Sequence, residues 1–78
     1  MQKHERLALA AIEAELRKWG CAAALTERSS KDHLKVAVTK DQRFIGYVAI
    51  SCSPRSADVC VNACRREARK LAKGAYYA

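Results

Sequence analysis

Large apolar side chains are scarce in this chain, and their spacing restricts it to a very small mixed fold. Hydrophobic residues fill 50% of the 78 positions, but much of that share is alanine. The large core candidates are Leu7, Leu9, Ile12, Leu16, Trp19, Leu25, Leu34, Val36, Val38, Phe44, Ile45, Val48, Ile50, Val61 and Leu71. So short a chain is one domain near the lower size limit for folding without a staple, because it buries a small fraction of its surface. Two helices on one small sheet is the most that this set covers. A single domain over residues 1–78 is expected, with its ordered core over about 5–73.

The spacing then assigns the elements. Leu9, Ile12, Leu16 and Trp19 follow one another at helical intervals, so residues 3–19 read as a helix. Gly20 is a natural stop, and Glu13 and Arg17, four apart, suit an exposed face. No serine, threonine or aspartate caps the start, which predicts fraying there. Residues 21–26 read as an edge strand despite three alanines, and 27–32 as a polar loop. From His33 to Thr39 the pattern alternates: Leu34, Val36 and Val38 take one face, His33, Lys35, Ala37 and Thr39 the other. After the polar turn Lys40-Asp41-Gln42, residues 43–51 form another strand whose inward face is ambiguous. A three-residue turn pairs Val38 with Phe44 and buries Phe44, Gly46, Val48 and Ile50. A two-residue turn pairs Val38 with Ile45 and buries Ile45, Tyr47 and Ala49. The first set gives the larger continuous stripe and is preferred, with Phe44 and Trp19 in the core.

Ser53-Pro54 opens the last helix, with Ser53 or Ser56 as cap and Asp58 favourable at its positive end. Its expected inward stripe is Ala57, Val61, Cys64, Ala68 and Leu71. Gly74 is expected to end it, leaving 75–78 as a loose tail. The fold class is therefore α+β: a two-layer α-β-β-β-α arrangement with a small antiparallel three-stranded sheet and both helices packed on one face.

Charge gives the best functional signal. Between Ser53 and Lys73, six basic residues (Arg55, Arg65, Arg66, Arg69, Lys70, Lys73) stand against two acidic ones (Asp58, Glu67), a net +4 of the chain's +7. Arg66, Arg69, Lys70 and Lys73 lie opposite the apolar stripe. Surface helices also carry such residues for solubility alone. The density on one helix of so small a chain, and the bias towards arginine, point instead to phosphate recognition. Arg28 and Lys31 in the polar loop, Lys35 on the strand and Arg55 at the helix start extend the candidate surface.

Other classes of function fare worse. No apolar run approaches the roughly 20 residues of a membrane span. The start, Met1 to Arg6, is charged rather than apolar and does not read as a signal peptide, so a cytoplasmic protein with reduced thiols is expected. Cys21, Cys52, Cys60 and Cys64 lack a C-x2-C knuckle. A metal site built on Cys52, Cys60 and Cys64 is less economical than buried apolar thiols, and no metal or cofactor is expected. There is no P-loop, nucleophile elbow or H-E-x-x-H motif. His33, beside Lys31, Asp32 and Lys35, is the one candidate acid–base residue for RNA strand cleavage, with Lys35 or Arg66 to stabilise the phosphorane. A solvated histidine at a strand start is the bland alternative.

The Trp19-Gly20 break, the His33-Leu34-Lys35-Val36 strand start and the run Ser53-Pro54-Arg55-Ser56-Ala57-Asp58 resemble the HicA-type mRNA interferase family and its small phage-encoded relatives. The resemblance spans most of residues 5–73 on short motifs. It implies a double-stranded-RNA-binding-like fold, RNA rather than DNA as partner, an antitoxin-like protein as candidate partner, and His33 at the position of the toxins' catalytic histidine. Lys31 and Asp32 stand where those toxins carry small residues. Three readings follow: a non-catalytic nucleic-acid-binding module, a toxin-like mRNA interferase using His33, and a protein-interaction domain for an acidic partner. Enzymatic activity stays open between them.

Overall fold

A computed structural model describes residues 2–26, 33–51 and 56–77, His33 through its backbone alone. The order is α1 (Lys3–Arg17), β1 (Cys21–Leu25), β2 (His33–Lys40), β3 (Arg43–Ser51) and α2 (Ala57–Tyr77). The strands form one antiparallel sheet in the order β1-β2-β3, and both helices lie on one face of it. The α+β reading of the sequence holds. Arg28, Lys31, Asp32, Cys52, Arg55 and the Ser53-Pro54 helix start fall outside the described residues. Among the described residues no helix is long and apolar enough to cross a membrane.

The core joins Ala8, Ile12 and Leu16 of α1 to Leu34, Val36 and Val38 of β2, Val48 and Ile50 of β3, and Cys60, Cys64, Ala68 and Ala72 of α2. Ile12, Leu16, Val36, Val38 and Ile50 are fully enclosed. Burial of each such side chain contributes about 1.5–3 kcal/mol, so these five form the main apolar anchor of a small domain.

Two stripes are rotated from their expected positions. On α2 the buried set is Cys60, Cys64, Ala68 and Ala72, while Val61 and Leu71 are half-buried and Ala57 is exposed. These small residues at four-residue intervals let α2 approach α1 and the sheet closely, and the bulkier Val61 and Leu71 fill its flanks. On α1, Leu9 is likewise half-buried and Ala8 takes the inner position; the helix ends at Arg17, so Trp19, also half-buried, stands in the turn after it. The start of α1 is also better held than its composition suggests. The Glu5 carboxylate accepts the Gln2 backbone N–H at 2.8 Å, closing the first turn in the manner of a capping box.

The β2–β3 hairpin resolves the ambiguous face in a third way. Lys40 pairs with Arg43 across a two-residue turn whose members, Asp41 and Gln42, both have positive φ (52° and 66°). A bulge then shifts the register, so that Thr39 pairs with Phe44 but Val38 pairs with Gly46. Ile45 is the extra residue and packs against the core edge. Gly46, Val48 and Ile50 face α2 as preferred, but Phe44 does not belong with them: it is 54% exposed. The extra residue reverses the alternation at that point, which sends Phe44 outward.

Gly74 does not end α2, which runs on to Tyr77. The additional turn is held by packing: Tyr76 meets Trp19 edge-on with ring centroids 5.5 Å apart, and Lys40 Nζ lies 4.9 Å from the Tyr76 ring centroid. The same Gly→Ala change is therefore expected to have opposite effects at two sites. At Gly74, where an added Cβ meets nothing within 4 Å, it should stabilise the protein by about 0.5–1 kcal/mol. At Gly46 the Cβ would stand 2.7 Å from Leu71 Cδ2 at a φ of 156°, and a loss of about 1–2 kcal/mol is expected. Urea unfolding of the two variants measures both.

Candidate nucleic-acid interface

The inward stripe of α2 fixes what its outer face presents. With Cys64, Ala68 and Ala72 held in the core, Arg66, Arg69, Lys70 and Lys73 project from the other side, and all four are exposed. None of them touches a carboxylate among the described residues, where the ion pair present is Lys18 with Glu15 at 3.9 Å. Arg65, one position over, donates from Nη1 to Asn62 Oδ1 at 3.1 Å. Glu67 is exposed on the flank nearer the sheet. The result is a row of cations at three- and four-residue spacing on a helix that its buried face keeps from turning.

Lys35 is not part of that row. It stands on the outer face of the sheet, with Nζ 5.2 Å from the Tyr47 ring centroid. Tyr47 in turn meets Phe44 edge-on at 4.8 Å, and both rings are about half exposed. The sheet therefore separates Lys35 from Arg66, so the two do not converge on one phosphate. His33 opens β2 and its backbone pairs with Ser51.

His4 is the residue that sequence reading misplaced. It stands at the start of α1, where the lack of a capping side chain predicts fraying, yet its Nε2 donates to the Ser51 carbonyl oxygen at 2.7 Å, tying α1 to the end of β3. His4 thus reaches the end of the sheet at Ser51, the residue that pairs with the His33 backbone. No local spacing signals a contact between positions 47 residues apart.

A second missed group lies at the other end of α2. Tyr76 and Tyr77, with ring centroids 5.0 Å apart, join Trp19, Glu15, Lys18 and Arg69 around a surface groove. Trp19 Nε1 donates to Glu15 Oε2 at 3.3 Å, which fixes the indole. Tyr76 continues the buried four-residue series Cys60, Cys64, Ala68, Ala72 past Gly74.

The thiols have a different character. Cys60 and Cys64 are buried and Cys21 is half-buried, all unbridged. Cys64 Sγ donates to the Ala49 carbonyl oxygen at 3.7 Å. Burial, with the neighbouring Cys60 and Glu67 adding to it, pushes the Cys64 thiol up from 9.0 to about 12. Among the described residues no group of three His, Cys, Asp or Glu is arranged to hold a metal ion.

No family model, curated protein or solved structure matches this chain.

Between pH 9.0 and about 12 the unfolded chain releases the Cys64 proton that the folded chain retains, so stability falls as pH rises through that window. Cys64→Ala should flatten this decline in urea midpoints measured from pH 8 to 11. In the native protein Cys64 should also resist alkylation under conditions that modify Cys21.

Proposed function

We propose that the chain is a small nucleic-acid-binding module, with RNA as the favoured partner, that engages phosphates through the solvent face of α2. The observation that carries this reading is the exposed row Arg66, Arg69, Lys70 and Lys73, held in register by the buried face beneath it and without carboxylate partners among the described residues. Arginine offers a planar fork to phosphate oxygens, and a fixed array holds several such contacts without ordering a loop first. The resemblance to the HicA-type family supports RNA over DNA. Lys35 serves a separate surface, and Arg28, Lys31 and Arg55 remain candidate contributors from the sequence.

One observation favours a second reading, the toxin-like mRNA interferase. Cleavage by His33 needs a further proton-transfer group, and His4 on α1 bonds the carbonyl oxygen of Ser51, the residue whose backbone pairs with His33. Under that reading, metal-independent RNA cleavage disappears with His33→Ala and weakens with His4→Ala.

Binding is expected to fall steeply with salt, the logarithm of affinity dropping by about 0.7 per phosphate contact for each unit in the logarithm of salt concentration on single strands. Arg66→Glu combined with Arg69→Glu should abolish binding in a fluorescence anisotropy titration while leaving the circular dichroism spectrum unchanged. A double variant that binds RNA like the wild type would remove α2 from the interface.

A further inference from the structure

We propose that the groove formed by Glu15, Lys18, Trp19, Arg69, Tyr76 and Tyr77 is a stacking site for an unpaired nucleobase, giving this module a preference for single-stranded over duplex RNA. The inference rests on the nucleic-acid reading and names the form of nucleic acid that the same surface takes. Arg69 belongs to both: it is part of the cationic row of α2 and it lines the groove. A strand whose phosphates follow Arg66, Lys70 and Lys73 therefore reaches the aromatic cluster without a break.

The aromatic side chains are placed for stacking. Tyr76 is committed, its ring edge-on to Trp19 and capped by the Lys40 ammonium. Tyr77 is not: it is 71% exposed, and its described ring contact is the edge-on one with Tyr76 at 83°, which leaves a ring face open to a base. Trp19 stands beside it with the indole fixed by Glu15. The Glu15 charge is offset within the groove, since its carboxylate pairs with Lys18 and accepts from Trp19.

The electrostatics explain why a base, rather than phosphate alone, would supply the affinity here. Both helices end at this groove, so the negative ends of their dipoles face it and oppose an anion. Lys18 and Arg69 offset that field enough to accept a backbone phosphate, while stacking is insensitive to it. Duplex RNA offers no free base face along its length and cannot use the site.

Trp19 is the only tryptophan of the chain, so its emission reports on this groove directly. The full chain would be titrated with a short oligouridylate, a blunt RNA duplex and inorganic polyphosphate. Oligouridylate should quench Trp19 and bind about tenfold more tightly than the duplex, and polyphosphate should bind without comparable quenching. Tyr77→Ala should lower oligouridylate affinity about tenfold and leave duplex and polyphosphate binding unchanged, whereas Tyr77→Phe should behave as wild type. Equal affinity for single strand and duplex, unaltered by Tyr77→Ala, would overturn the stacking site and leave the α2 reading intact. Failure of all three polyanions to bind would overturn both.

Discussion

The contact between Leu71 and the backbone at Gly46 sets the orientation of nearly everything else. Without a side chain at Gly46, α2 settles so close to β3 that a Cβ there would meet Leu71 at 2.7 Å. That closeness fixes the roll of α2, placing Cys60, Cys64, Ala68 and Ala72 inward and Arg66, Arg69, Lys70 and Lys73 outward. The bulge at Ile45 is what aims Gly46 at the helix while turning Phe44 away from it. One extra residue in a strand thus decides both the cationic face of the helical layer and the aromatic character of the open sheet face.

This also explains how far the sequence could be read. The elements were legible because Leu34, Val36 and Val38 alternate without interruption, and because Gly20 and the Asp41-Gln42 turn punctuate the chain. The rotation of the helices was not, because alanine and cysteine weigh little in an apolar pattern yet suit close helix packing best. Nor was the bulge. Each turn length considered from sequence assumes a regular ladder, and the real hairpin takes the shorter turn but recovers Gly46, Val48 and Ile50 of the larger stripe, without Phe44, by slipping one residue. Within the candidate site, the α2 cations were legible from their spacing. The Trp19–Tyr76–Tyr77 cluster was hidden because Gly74 reads as a stop when its flanking packing is unknown.

The separation of Lys35 from the α2 row matters for mechanism. A phosphorane forming near His33 cannot draw on both Lys35 and Arg66, which lie on opposite layers. Any chemistry at the His4–Ser51–His33 end would have to rely on groups at that end of the sheet. If both proposed readings hold, binding along α2 and acid–base work at the sheet end would be separable, and loss of one would leave the other measurable.

The cationic row itself has an internal cost. Arg66 with Lys70 and Arg69 with Lys73 are like charges four residues apart, each pair destabilising an isolated helix by about 0.2–0.5 kcal/mol. No basic residue stands in the last turn of α2, so the helix dipole does little to offset this, and burial of Cys64, Ala68 and Ala72 keeps the helix formed despite its repulsive face. A polyanion laid along that face would convert repulsion into attraction without moving the backbone. Because the apolar side of α2 has already met the ordering cost of the helix, most of the electrostatic gain is left to appear as affinity.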